Sequence, residues 1–191
     1  MPYASHANAT VVATKSYSYF DIRGKTAEDL DAELSRRGPT ADGSSSRHPG
    51  ATRIQFGGDA TYIQEGGRCR VLNARVTVHT RIILPRWRNR QGASKELSLI
   101  WDTLSGDIRR HEDRHAEIAR VQARKMEQQI LQLAPQKDCN LMQEVVARVS
   151  TEGIEKHDAL QAQFDRVEAI NFQNRLMRLL KNKIDAQSVK R

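Results

Sequence analysis

Residues 101–130 read WDTLSGDIRRHEDRHAEIARVQARKMEQQI, and the fold turns on how that stretch is placed. Leu97, Trp101, Leu104, Ile108, His111, His115, Ile118, Gln122, Met126, Ile130 and Leu133 follow one another at spacings of three or four. This is the signature of one inward face on a long helix. Ser94 and Leu97 open it and Pro135 breaks it. HEDRH at 111–115 is therefore not a uniformly solvated charged turn: its two histidines lie on the stripe, while Asp113 and Arg114 face solvent.

Working outward, a second helix is expected from near Asp138 through Leu141, Val145, Val149, Leu160, Phe164 and Val167 toward Leu179, with Gly153 as a candidate kink. A turn near residue 136 or 137 makes the pair an antiparallel hairpin. Upstream, the first 90 residues read as strand and turn with one helix. Thr10 to Ile22 suits a strand. Thr26 suits the N-cap of a helix that runs through Leu30 and Leu34 and stops at Gly38-Pro39. ADGSSSRHPG, residues 41–50, has a loop composition. Strand candidates follow at Thr52–Phe56, Ala60–Gln64 and Cys69–Leu84. The expected class is α+β: a small, mostly antiparallel sheet with one early helix, then two long antiparallel helices, the first carrying the motif. Residues 1–9 are expected to be a flexible N-terminus, 10–180 a single domain and 181–191 a basic tail.

The chain has 191 residues, 38% of them apolar, and a formal net charge of +8. No stretch of about 18 apolar residues occurs, so no membrane-spanning helix is expected. Basic residues are interspersed with acidic ones, which points to a solvated basic surface and not to specific nucleic-acid binding. MPYASHANATVVA at the start lacks a charged n-region and a continuous apolar h-region. Cys69 and Cys139 form no CxxC, which excludes a zinc knuckle or a thioredoxin-type pair; one disulfide and two buried thiols both remain open.

HEDRH has the HExxH pattern. Helical positions four apart differ by about 40° in azimuth and about 6 Å in height, so His111 and His115 can aim at one zinc ion. Glu112 is turned about 100° from His111. From there its carboxylate can take a proton from water acidified by zinc and later deliver it to a leaving amine. A chance HExxH in a chain of this composition arises roughly once in a hundred such sequences. The residues after His115 are Ala116, Glu117, Ile118, Ala119, Arg120 and Val121, so no HExxHxxGxxH extension is present. The third ligand must come from elsewhere. Hairpin arithmetic sets residues 158–162 opposite 111–115, which brings His157, Asp158 and Asp165 into reach. Glu168 lies just beyond, and His79 on the long strand is a further option.

An ordered series of features resembles the DUF922 proteins, described as predicted secreted zinc-dependent proteases. It comprises GKTAEDLDAELSRRGP, a strand carrying Cys69 and ending in ILPRW, LSLIWDTLSGDIRRHEDRHAEIA, Cys139 and QFDRVEA, across roughly residues 17–170. The resemblance implies an exported enzyme with a zincin-like fold in which Cys69 pairs with Cys139. Such domains end with a tyrosine-aspartate pair, a threonine and a histidine-glycine. Here the aspartate is Asp165, while Glu168, Ile170 and Asn171 occupy the later places, so the histidine is missing. Hairpin arithmetic and resemblance agree best on Asp165 as the third ligand.

The expected function is a periplasmic or secreted zinc metallopeptidase that hydrolyses polypeptide or cell-envelope peptide, with His111, His115 and Asp165 on zinc and Glu112 as general base. The alternative is a non-catalytic exported scaffold that binds a partner or an envelope polymer through Arg109, Arg110, Arg114, Arg120 and Arg124.

Overall fold

The computed structural model describes residues 11–40 and 47–188. The expected N-terminal flexible segment, residues 1–9, and most of the 41–50 loop lie outside the described residues. The elements in chain order are β1 (Val12–Ile22), α1 (Ala27–Arg37), β2 (Ala51–Glu65), β3 (Arg68–Trp87), a short 3-10 turn (Arg90–Gly92), α2 (Lys95–Leu131) and α3 (Cys139–Ser188). The class is α+β, as the hydrophobic periodicities predict.

The three strands form one sheet in the order β1-β3-β2. β2 and β3 are joined by Gly66-Gly67, both at positive φ (58° and 72°), the backbone that a two-residue antiparallel hairpin turn demands. β1 departs from the mostly antiparallel arrangement expected of the sheet. Its residues Ser18, Asp21 and Ile22 meet Arg81, Arg86 and Arg88 with numbers rising together, so β1 and β3 are parallel and the sheet is mixed. The two short strand candidates before Cys69 are a single strand. Gly57-Gly58 reads as a break, yet it keeps the strand continuous because a Cβ at Gly58 would collide with the Arg75 carbonyl of β3.

The chain divides into two compact units. Among the described residues the first comprises 11–14, 54–80 and 116–162. Its core packs Val71, Val76 and Val78 of β3 against Ala119, Ala123, Met126 and Ile130 of α2 and Met142 of α3. Cys69 and Cys139 are disulfide-bonded there, closing a loop of 70 residues. α3 is assigned as helix without a break through Gly153. A Cβ there would run into the Met126 side chain, and the Gly153 carbonyl accepts from Gln122 Nε2 at 3.1 Å, so the glycine marks a close helix approach.

Among the described residues the second unit comprises 15–40, 47–53, 81–115 and 163–188. Ile22, Leu30, Leu34, Trp87, Leu97 and Trp101 form its core. α1 starts at a capping box: Thr26 Oγ1 accepts from Asp29 N, and Asp29 Oδ2 accepts from Thr26 N. Ser94 caps α2 by accepting from Leu97 N at 3.1 Å. The basic segment expected as a tail is, over residues 181–188, a continuation of α3; residues 189–191 lie outside the described residues.

Candidate metal centre

The site lies within the second unit, where α2 supplies His111, Glu112 and His115 and α3 supplies Phe164, Asp165 and Glu168. α2 places both imidazoles on its inward stripe. Phe164 braces them, stacking on His111 at 4.9 Å and 28° and meeting His115 edge-on at 5.1 Å. Their Nε2 atoms are 3.0 Å apart. Asp165 Oδ1 completes the triangle at 3.2 Å from His111 Nε2 and 3.0 Å from His115 Nε2. Among the described residues these three form the group able to hold a metal ion.

A tetrahedral zinc with bonds of about 2.0–2.1 Å sets its donor atoms about 3.3–3.4 Å apart, so the observed edges of 3.0–3.2 Å fall within about 0.4 Å of what that ion requires. The donor chemistry agrees as well, since two imidazoles and a carboxylate are ordinary zinc ligands. Burial, followed by the neighbouring His115, holds His111 below the ordinary imidazole range. Its ring is neutral at neutral pH, the state in which imidazole ligates.

Glu112 is more buried than either histidine, at 6% exposure. Two residues ahead of and within β2 explain this, and sequence reasoning missed both. Thr52 Oγ1 lies 2.8 Å from Glu112 Oε2 and 3.0 Å from the Glu112 carbonyl. Gly50 closes the other side, where an added Cβ would sit 2.9 Å from Glu112 Oε1 and 2.8 Å from Ile108 Cγ2. Burial pushes the Glu112 carboxyl up, with the Thr52 hydroxyl and His115 partly offsetting it. A carboxylate whose pKa is raised is a stronger base toward a water proton.

The other candidates are engaged differently. His157 is buried, with Nδ1 2.9 Å from Asp158 Oδ1, Nε2 2.7 Å from Gln161 Nε2 and its ring against Phe56. His79 Nδ1 pairs with Thr14 Oγ1 at 2.7 Å. Glu168 is one turn beyond Asp165 and touches the opposite nitrogen of His111, Nδ1, at 3.5 Å. Ile170, at the place of the absent histidine, is 81% exposed. Five helical residues from Asp165 is about 140° around the axis, so a side chain there turns away from the triad. Asp113 does not face solvent freely: it accepts from Lys15 Nζ at 2.8 Å and from Tyr17 Oη at 2.7 Å.

Of the five arginines proposed as a docking surface, three are occupied inside the chain. Arg109 lies over the Tyr17 ring, Arg120 pairs with Glu117, and Arg110 joins Asp107 and Glu168. Asp107 is 4% exposed and also takes a two-pronged bond from Arg175. Burial alone would raise its carboxyl; the bonds from Arg175 and Arg110 outweigh that and hold it below the usual range. A depressed carboxyl contributes stability that is fully present above its unfolded value, near 3.8, and is lost as pH falls through the lower folded value. Asp107→Asn should therefore lower unfolding free energy by about 2 kcal/mol at neutral pH. That difference from wild type should shrink in acid denaturation below the ordinary carboxylate range. Equal urea midpoints at pH 7 would contradict it.

A family profile described as "Bacterial protein of unknown function (DUF922)" matches residues 17–173. No curated protein and no solved structure matches the chain.

Proposed function

The chain belongs to the DUF922 family, and within it we propose that this protein is a zinc metallopeptidase in which His111, His115 and Asp165 hold the metal and Glu112 is the general base. The observation that carries the reading is the triangle of donor atoms with edges of 3.0–3.2 Å beside a buried, hydroxyl-bonded carboxylate. Three protein ligands leave a fourth position open, the pattern of a catalytic and not a structural zinc site. Asp165 is half exposed, so the triangle is open to solvent on that side.

Zinc held there supplies Lewis acidity and acidifies water at neutral pH. Glu112 receives the proton as water attacks the peptide carbonyl, and returns it to the departing amine. Thr52 and Gly50 flank that carboxylate and fix where it sits. The Cys69–Cys139 bond supports action outside the cytoplasm, where disulfides persist. Polypeptide or cell-envelope peptide is the proposed substrate class.

Elemental analysis of purified protein tests the metal. Zinc at about one per chain is expected, falling to background in His115→Ala, because two remaining ligands cannot hold the ion at micromolar protein. Wild-type protein without bound zinc after dialysis against micromolar zinc would rule the proposal out. Thr52→Val should keep the zinc and lower turnover about tenfold, the equivalent of one orienting hydrogen bond. Unchanged kcat in that variant would remove Thr52 from the account.

A further inference from the structure

The ion-pair cluster behind the triad involves four charged side chains that the proposed reaction does not use. Asp107 and Arg110 come from α2, Glu168 and Arg175 from α3. Both arginines are shared between both carboxylates. Arg175 Nε and Nη2 reach Asp107 at 3.0 and 3.1 Å, and Arg175 Nη2 also lies 3.2 Å from Glu168 Oε2. Arg110 Nε bonds Asp107 at 2.9 Å, while its Nη2 closes on the same Glu168 oxygen. The set is charge-neutral, and Asp107, Glu168 and Arg175 are largely withdrawn from solvent.

From this arrangement, and resting on the metal-centre reading above, we infer that Glu168 is the positioning residue that sets the ring orientation and tautomer of His111. Asp107, Arg110 and Arg175 hold it there.

Glu168 Oε2 faces Nδ1 of His111 at 3.5 Å, while Nε2 of the same ring belongs to the triad. A neutral imidazole carries one N–H. With the hydrogen on Nδ1, it points at Glu168, and the Nε2 lone pair is free to ligate. With the hydrogen on Nε2, the triad loses a donor, and the bare Nδ1 lone pair confronts a carboxylate oxygen. The second state sets two acceptors against each other at Nδ1. The first does so at Nε2, 3.2 Å from Asp165 Oδ1, until a cation lies between them, so Glu168 and a bound metal favour the same tautomer. Glu168 therefore selects the tautomer that a metal needs, the usual task of a carboxylate behind a ligating histidine. Phe164 cannot make that selection, because stacking fixes the ring plane without distinguishing its nitrogens. Two guanidinium groups on one oxygen also explain why Glu168 is not itself a ligand: its charge is already committed one turn away from the triangle.

The experiment compares full-length wild type, Glu168→Ala and Glu168→Gln by zinc competition against a chelating dye. Nitrogen-15 spectra of the zinc-loaded wild type assign the His111 nitrogen that stays protonated. Zinc affinity should fall about 10–100-fold in Glu168→Ala. In Glu168→Gln, whose amide oxygen still accepts from Nδ1–H, it should stay within about threefold. The zinc-loaded spectrum should show His111 still protonated on Nδ1, with its N–H shifted in Glu168→Ala. Metal-free melting curves separate a fold defect from a site defect. If Glu168→Ala does not fold, the wild-type tautomer and the glutamine variant decide. Equal affinity in wild type and a folded Glu168→Ala, or a His111 protonated on Nε2, would overturn this inference alone. A wild type that binds no zinc would overturn the metal centre and this inference with it.

Discussion

Glu112→Gln is expected to lower peptide hydrolysis by about 10²–10⁴-fold, the range for removing a positioned general base, while zinc stays at about one per chain. The two readouts separate because Glu112 is not one of the converging donors; those are His111, His115 and Asp165. Glutamine keeps the size of the side chain and can still accept from Thr52, so the packing against Gly50 and Ile108 is retained. What it loses is the capacity to take a proton. Gly50→Ala approaches the same carboxylate from the opposite side. Its new methyl group would need the space now filled by Glu112 Oε1 and Ile108 Cγ2, so it should lower kcat with zinc content unchanged. Full activity in Glu112→Gln at full zinc occupancy would show that the proton goes elsewhere.

The legible part of this molecule was whatever repeats along one element. Along the three-and-four spacing from Leu97 to Ile130, Leu97, Trp101, Ile108, Gln122, Met126 and Ile130 are buried, while Leu104, His111, His115 and Ile118 are half-buried. The caps at Thr26, Ser94 and Asp138 are local chemistry, and each is found making its bond. What escaped depends on residues distant in sequence. Gly57-Gly58 and Gly153 look like breaks in isolation, and only the partner backbone or side chain shows them to be close approaches. Thr52 reaches Glu112 across 60 positions, with no periodicity to announce it. The hairpin estimate set residues 158–162 opposite the motif, three short of Asp165. On each helix a side chain leans toward its own N-terminus and covers ground about one residue before its Cα. In an antiparallel pair the two displacements add, so contacting residues carry higher numbers than those facing each other by axis position alone. Asp165 is the carboxylate that this correction favours, and Glu168, one turn further, reaches the far side of the His111 ring.

Loss of the Cys69–Cys139 bond is expected to be the most damaging change to stability in the first unit. The bond closes a loop of 70 residues. On the chain-entropy account, opening a loop of that length releases about 4 kcal/mol of constraint from the unfolded state. For a domain of this size that corresponds to a melting temperature lower by about 10 °C. The native side adds to the effect. Cys69 is fully buried in a core with Val71, Val76, Ala119 and Met142, and its backbone N–H and carbonyl pair with Gln136 at 2.8 Å in both directions. The disulfide thus fastens the start of α3 to the first residues of β3, beside a bridge that closes the segment between α2 and α3. A Cys69→Ser, Cys139→Ser double variant would also place a hydroxyl in that core, so Cys69→Ala, Cys139→Ala is the cleaner comparison. Both should melt well below wild type, and reduction of wild type should reproduce the fall. The candidate metal site belongs to the other unit. At 25 °C, where the protein remains folded, zinc content in the alanine pair should therefore match wild type. A melting curve that dithiothreitol leaves unmoved would mean that the β3 and α3 contacts hold this corner together without the covalent link.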